Sequence, residues 1–128
     1  MAAVDENLEI IKSYIEAYNC FDTEGMAKLL HEEVIFRNFM NGEMNTETKG
    51  IKEFRQLAEQ SASLFSSRRQ TVTSTRAIDS KVEVEIEYEA VIAHDLPNGL
   101  KSGDKLQLKG KSLFEIREGK LSLIEDYS

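Results

Sequence analysis

Apolar residues near the start of the chain recur at steps of three and four. Leu8, Ile11, Ile15 and Tyr18 form the stripe and Ile10, Tyr14 and Ala17 widen it, the period of an amphipathic helix laying one face on a core. Asp5 or Asn7 is placed to cap its start. The same spacing predicts a short second helix over 22–30, opened by Asp22 or Thr23 and burying Met26, Leu29 and Leu30. His31 then falls at a helix C-terminus, where the dipole favours positive charge. Val34, Ile35 and Phe36 predict a short strand over 34–38, followed by a polar, methionine-containing loop over 39–48. Ile51, Phe54, Ala58, Ser61 and Phe65 return to helical spacing, with Leu57 and Leu64 beside them, and predict a third helix over 50–65.

From Gln70 onward the period becomes two, weakly through Val72, Ser74, Arg76 and Ile78, then strongly through Val82, Val84, Ile86, Tyr88, Ala90 and Ile92. Glu83, Glu85, Glu87 and Glu89 fill the alternate positions, so a long strand with one apolar and one acidic face is expected. Asp79-Ser80, Pro97-Asn98-Gly99 with Gly103, and Glu118-Gly119 supply the turns of a meander. In the next strand Leu106, Leu108, Gly110, Ser112, Phe114 and Ile116 share one face, while Lys109 and Lys111 on the other can meet the glutamates. The last strand, 120–128, has conflicting parity: Leu121 and Leu123 favour one register and Ile124 the other. Either a bulge separates them or both faces are covered.

Composition narrows the class. At 128 residues, 41% hydrophobic and 30% charged, the chain has the size and apolar content of a single globular domain over 1–128. Lys and Arg number 16 against 23 Asp and Glu, a formal charge of -7, and Arg68-Arg69 is the only adjacent basic pair. Nucleic acid and anionic membranes are therefore poor partners. One cysteine, Cys20, cannot form an internal disulfide, and Met-Ala-Ala-Val-Asp-Glu-Asn lacks the basic and apolar regions of a signal peptide. A reducing cytoplasm is the expected compartment.

Tyr14 to Asp22, Leu29 to Phe36, Gly50 to Phe54 and Gly119 to Tyr127 resemble, in order and spacing, four stretches of the nuclear transport factor 2 superfamily. Within it the chain looks most like the SnoaL-like group, which includes polyketide cyclases and relatives of the steroid isomerases. The resemblance spans the whole chain. It implies an α+β fold in which three N-terminal helices pack on the concave face of a strongly curved, mainly antiparallel sheet, a cone with an internal pocket. Such folds host many functions, so the lining side chains decide the chemistry.

The resemblance implies roles for three groups. Tyr14 matches the tyrosine that donates to a developing oxyanion in the isomerases, a task suited to a phenol in an apolar site. An ordinary core tyrosine is the simpler reading, since tyrosine on a helix stripe is common. Asn38 matches the isomerases' proton-removing carboxylate, but an amide has no useful basicity, so steroid-type isomerisation is not expected. It can orient a carbonyl or a water, or merely end a strand. Asp126 and Glu125 lie where SnoaL-like cyclases place an acid-base aspartate, and Asp126 is the one to face inward if Ile124 does; a solvated strand end is the plainer reading of the pair. Ser112 matches a second oxyanion donor, or is a small inner residue beside Gly110 that leaves room near the first helix.

Tyr18, Phe36, Phe54, Leu57, Tyr88 and Phe114, with Ile124, are expected around the cavity, and Met40 and Met44 over its mouth. His94 with Asp95 makes a conceivable pair at the mouth. The two histidines have no metal-ligand spacing, Cys20 is expected to pack as a small apolar group, and no phosphate-cradling or dinucleotide motif is present, so no metal or cofactor is expected. Three functions follow as expectations: binding of a small hydrophobic molecule with or without acid-base chemistry; a cyclase or isomerase using Asp126 with Tyr14 and Asn38; or an interaction module with a filled cone. Val91, Ala93 and Leu113 on the outer face predict a sheet-to-sheet homodimer in each case.

Overall fold

The structure, a computed structural model, describes residues 2–128, with side chains from Glu6 onward. Its elements are α1 (Ala2–Asn19), α2 (Thr23–Ala27), β1 (Leu30–Met40), β2 (Glu43–Lys49), α3 (Gly50–Ala62), β3 (Phe65–Ile78), β4 (Lys81–Ile92), β5 (Lys105–Arg117) and β6 (Lys120–Tyr127). The strands form one open sheet in the order β2-β1-β6-β5-β4-β3. All pairings are antiparallel except β1 with β6, which is parallel. This is the expected α+β cone, with a sixth strand added.

That strand is β2. Asn41 (φ 54°) and Gly42 (φ 82°) are both left-handed and close a two-residue hairpin between β1 and β2, the geometry a right-handed strand twist favours. The stretch 39–48 is therefore not a loop, and the short strand runs from Leu30 to Met40. The second helix is correspondingly shorter. Asp22 caps it by accepting from the Gly25 amide at 2.9 Å, but Leu30 and His31 already belong to β1. His31 meets Glu118 at 3.2 Å across the sheet instead of sitting at a helix end. Asp5 and Asn7 lie inside α1, which begins at Ala2, so neither caps it. Cys20 is exposed, because α1 ends at Asn19 and the left-handed Phe21 (φ 57°) turns the chain away.

The third helix stops at Ala62, and Phe65 opens β3. A bulge between Val72 and Ser74 then reverses that strand's parity, so Thr75 and Ala77 stand opposite Val84 and Val82 in place of the expected Ser74 and Arg76. The remaining meander follows the predicted alternation. Glu85 pairs in register with Lys111 and Glu87 with Lys109. In β6 a bulge falls between Leu121 and Leu123, which pair with Ile116 and Glu115. Leu121 and Ile124 are thereby both fully buried.

The core joins Ile11, Tyr14 and Ile15 of α1 to Phe54 and Ala58 of α3 and to Val84, Phe114, Leu121 and Ile124 of the sheet. On the opposite face Arg37 binds Glu47 at 2.7 Å and Glu125 at 3.0 Å, and Phe39 stacks on Tyr127 with ring centres 4.6 Å apart. Val91, Ala93 and Leu113 lie half-buried. No helix among the described residues is long and apolar enough to cross a membrane.

Candidate functional site

Sheet register builds the site row by row. Phe36, Ile124, Phe114 and Val82 are cross-strand neighbours on β1, β6, β5 and β4, and paired residues share a face. Two residues further along β1 and β6, the row becomes Asn38, Asp126, Ser112 and Val84. One step thus changes the inner surface from sealed core to polar wall. Asp126 points inward as Ile124 does, and Glu125 points out, where Arg37 and the Tyr127 hydroxyl (3.0 Å) engage it.

Asp126 borders a cavity of about 260 Å³ between the sheet and α1 and α3. Tyr14, Tyr18, Phe36, Asn38, Phe54, Leu57 and Tyr88 line it as expected. It continues into a second hollow of about 290 Å³ that shares Tyr18, Asn38, Tyr88 and Asp126 and reaches Met40, Ser112 and Leu108. Met40 and Leu108 are half exposed and rim the mouth. Two expectations fail here. Phe114 and Ile124 are 1% and 0% exposed, so they form the floor beneath the cavity and not its lining. Met44 stands opposite Phe39, on the outer face, because β2 is a strand and not a lid. Gly110 and Ser112 border the second hollow together with Tyr18 of α1, so the room expected near the first helix is present, although on the β6 side a Cβ at Gly110 would meet the Tyr127 carbonyl oxygen at 2.5 Å.

Burial pushes the Asp126 carboxyl up from 3.8 to about 6, against the opposing effect of a hydrogen bond donated by Ser112 at 2.6 Å. A carboxyl in that range populates both protonation states near neutral pH and can give or take a proton. Tyr14 packs edge-on against Phe114 with centroids 5.9 Å apart. Burial first, and the nearby Asp126 charge second, hold its phenol well above the usual range, so it remains a donor. Tyr18 is likewise raised by burial and by Tyr88, to whose hydroxyl it donates at 3.1 Å. Asn38 donates one amide hydrogen to Asn45 at 2.9 Å, which fixes the plane of its side chain.

Arg68, Gln70, Phe65 and Thr46 also line the cavity, and none was expected there. The inward parity of Arg68 and Gln70 is readable only once β3 is known to begin at Phe65. Asn19 holds this strand against α1, accepting from the Gln70 amide at 2.7 Å and donating to its carbonyl at 3.1 Å. His94 is exposed beyond the end of β4, and Asp95 accepts from the Ser102 amide at 3.0 Å, so Asp95 braces a loop. Among the described residues no group of three His, Cys, Asp or Glu is arranged to hold a metal ion.

The fold recurs in solved structures. A proposed polyketide cyclase of Xanthomonas campestris is 20% identical with a TM-score of 0.79, over 97% of this chain and 90% of that one. A Catenulispora acidiphila protein with a ketosteroid isomerase-like fold, in complex with trimethylamine, is 14% identical with a TM-score of 0.78, over 94% and 85%. An epoxide hydrolase of M. tuberculosis is 16% identical with a TM-score of 0.75, over 96% and 82%. No curated protein matches the sequence. At these identities the likeness is one of fold. Residues 11–124 match the SnoaL-like domain, nearly the full length of the chain, and the chain therefore belongs to the SnoaL-like family on a nuclear transport factor 2-like fold.

Proposed function

We propose that the cavity binds a small, largely apolar ring compound and that Asp126 moves a proton on it. The observation that carries this reading is the inward Asp126 carboxyl, held by Ser112 at 2.6 Å and pushed to about 6 in an otherwise mostly apolar wall. An acid-base group tuned near neutrality is what abstraction or return of a proton beside a carbonyl requires. Tyr14 is the donor for the oxygen on which negative charge develops, since its phenol stays protonated and has no hydrogen-bond partner among the described residues. Asn38 orients the substrate carbonyl or a water through its remaining amide hydrogen. The open volume of about 260 Å³ is the reason to prefer this reading to a filled, purely structural cone.

The cyclic ketone 2-tetralone offers a direct probe, because its acidic carbon-bound protons exchange with deuterium when a base removes them. The wild-type protein is expected to accelerate that exchange at pH 7. Asp126→Asn is expected to lower the acceleration about 100-fold or more while leaving ketone binding nearly unchanged. Exchange that proceeds undiminished in Asp126→Asn removes Asp126 from the chemistry.

A further inference from the structure

Arg68 is the only cation among the described residues lining the 260 Å³ cavity, with Lys109 and Lys111 bordering the second hollow instead, and Arg68 is 5% exposed. Its position in β3 explains why it lacks a counter-charge. Arg69, the next residue, points to the outer face and stands opposite Glu89, whereas Arg68 points inward opposite Ala90, itself buried. The guanidinium stacks 3.7 Å from the centre of the Tyr18 ring and 4.5 Å from that of Phe21. Its Nε donates to the Tyr18 carbonyl at 2.9 Å. Its Nη2 is buried with no hydrogen-bond partner among the described residues.

Ring stacking and one carbonyl bond offset only part of the cost of desolvating a guanidinium, and a buried donor without an acceptor costs more still. A core that needed only volume here would hold methionine or leucine. What a guanidinium adds is a planar fork of donors matched to two oxygens. Asp126 does not supply those oxygens: it lies on β6, three strands away in the sheet order, and its row crosses β4 at Val84, whereas Arg68 stands opposite Ala90, six residues further along that strand. Both charges are near enough to act on the Tyr14 and Tyr18 phenols, Arg68 lowering and Asp126 raising them. Tyr14, Tyr18, Arg68 and Asp126 all line the one cavity, the cation carried by β3 and the carboxyl by β6.

We propose that Arg68 anchors a carboxylate on the otherwise apolar ligand, so that the site takes a ring acid oriented with its charged group toward β3 and its reacting carbon toward Asp126. This rests on the reading of the cavity as a small-molecule site and adds the ligand's charge and direction. Only the bound acid completes the donor set of Arg68, which makes the guanidinium a specificity element and not a packing residue.

The test compares 2-naphthoate with its neutral, nearly isosteric amide 2-naphthamide, by calorimetry at pH 8. Wild-type protein is expected to bind the acid about tenfold or more tightly than the amide. Arg68→Met is expected to abolish that preference while holding the amide within about twofold of its wild-type affinity. Equal affinities in the wild-type protein overturn the inference without any variant, and so does an acid preference that survives in Arg68→Met. Binding of the amide alone leaves the cavity reading standing and removes the anchor. Binding of neither compound overturns both.

Discussion

A carboxyl carried into an apolar wall holds its proton more tightly than it does in the unfolded chain, and Asp126 therefore links stability to pH. Its folded-state value of about 6 lies above the ordinary 3.8, so folding takes up a proton between these values. Below about pH 4 both states are protonated and Asp126 costs nothing. As pH rises through the window from 4 to 6 the folded state alone bears the desolvation cost, which levels off above the folded value. The shift corresponds to about 3 kcal/mol. Asp126→Asn, which keeps an acceptor for Ser112, is expected to be more stable than wild type by about that amount at pH 8 and equal to it near pH 4. Urea denaturation across this range checks it, and a difference that does not vary with pH would remove the linkage.

At the scale of elements, what could be read from the sequence depended on whether parity was set locally. In β4 the alternation of Val82, Val84 and Ile86 with glutamates fixes the inward face. Two-residue punctuation was just as local: Asn41-Gly42 is a strong hairpin signal, and it marks β2 where the polar, methionine-containing stretch around it suggested a loop. Asp126 was legible because its parity follows Ile124, although the bulge that places both inward is set by pairing with β5. Arg68 was not, because its direction depends on where α3 gives way to β3, a boundary that tertiary packing and not local period decides. Phe114 and Ile124 were assigned to the right face but the wrong depth, since alternation says nothing about which inward residues are covered by helices. Gly110 shows how tightly β5 and β6 meet beside Asp126. Gly110→Ala would drive a methyl group into the Tyr127 carbonyl and is expected to cost about 1–3 kcal/mol and to shift the Asp126 amide resonance. A loss below about 0.5 kcal/mol would mean that the strand end yields freely.

For the whole molecule, the open sheet grades from a sealed floor of Leu121, Ile124 and Phe114, through the walled cavity, to the half-exposed rim of Met40 and Leu108. Stability resides at the floor, and the candidate chemistry sits where the inner surface turns polar. The fold alone is shared with cyclase, isomerase-like and hydrolase structures, so the chemistry rests on the groups at that depth, Asp126 with Ser112, Tyr14, Asn38 and Arg68. Proton transfer in this cavity requires Asp126 to face an apolar hollow and not bulk water. Carbon-13 NMR titration of the aspartate carboxyls, with the Asp126 signal identified by its loss in Asp126→Asn, measures this directly. The expected result is a midpoint near pH 6; a midpoint near 3.8 would contradict the account.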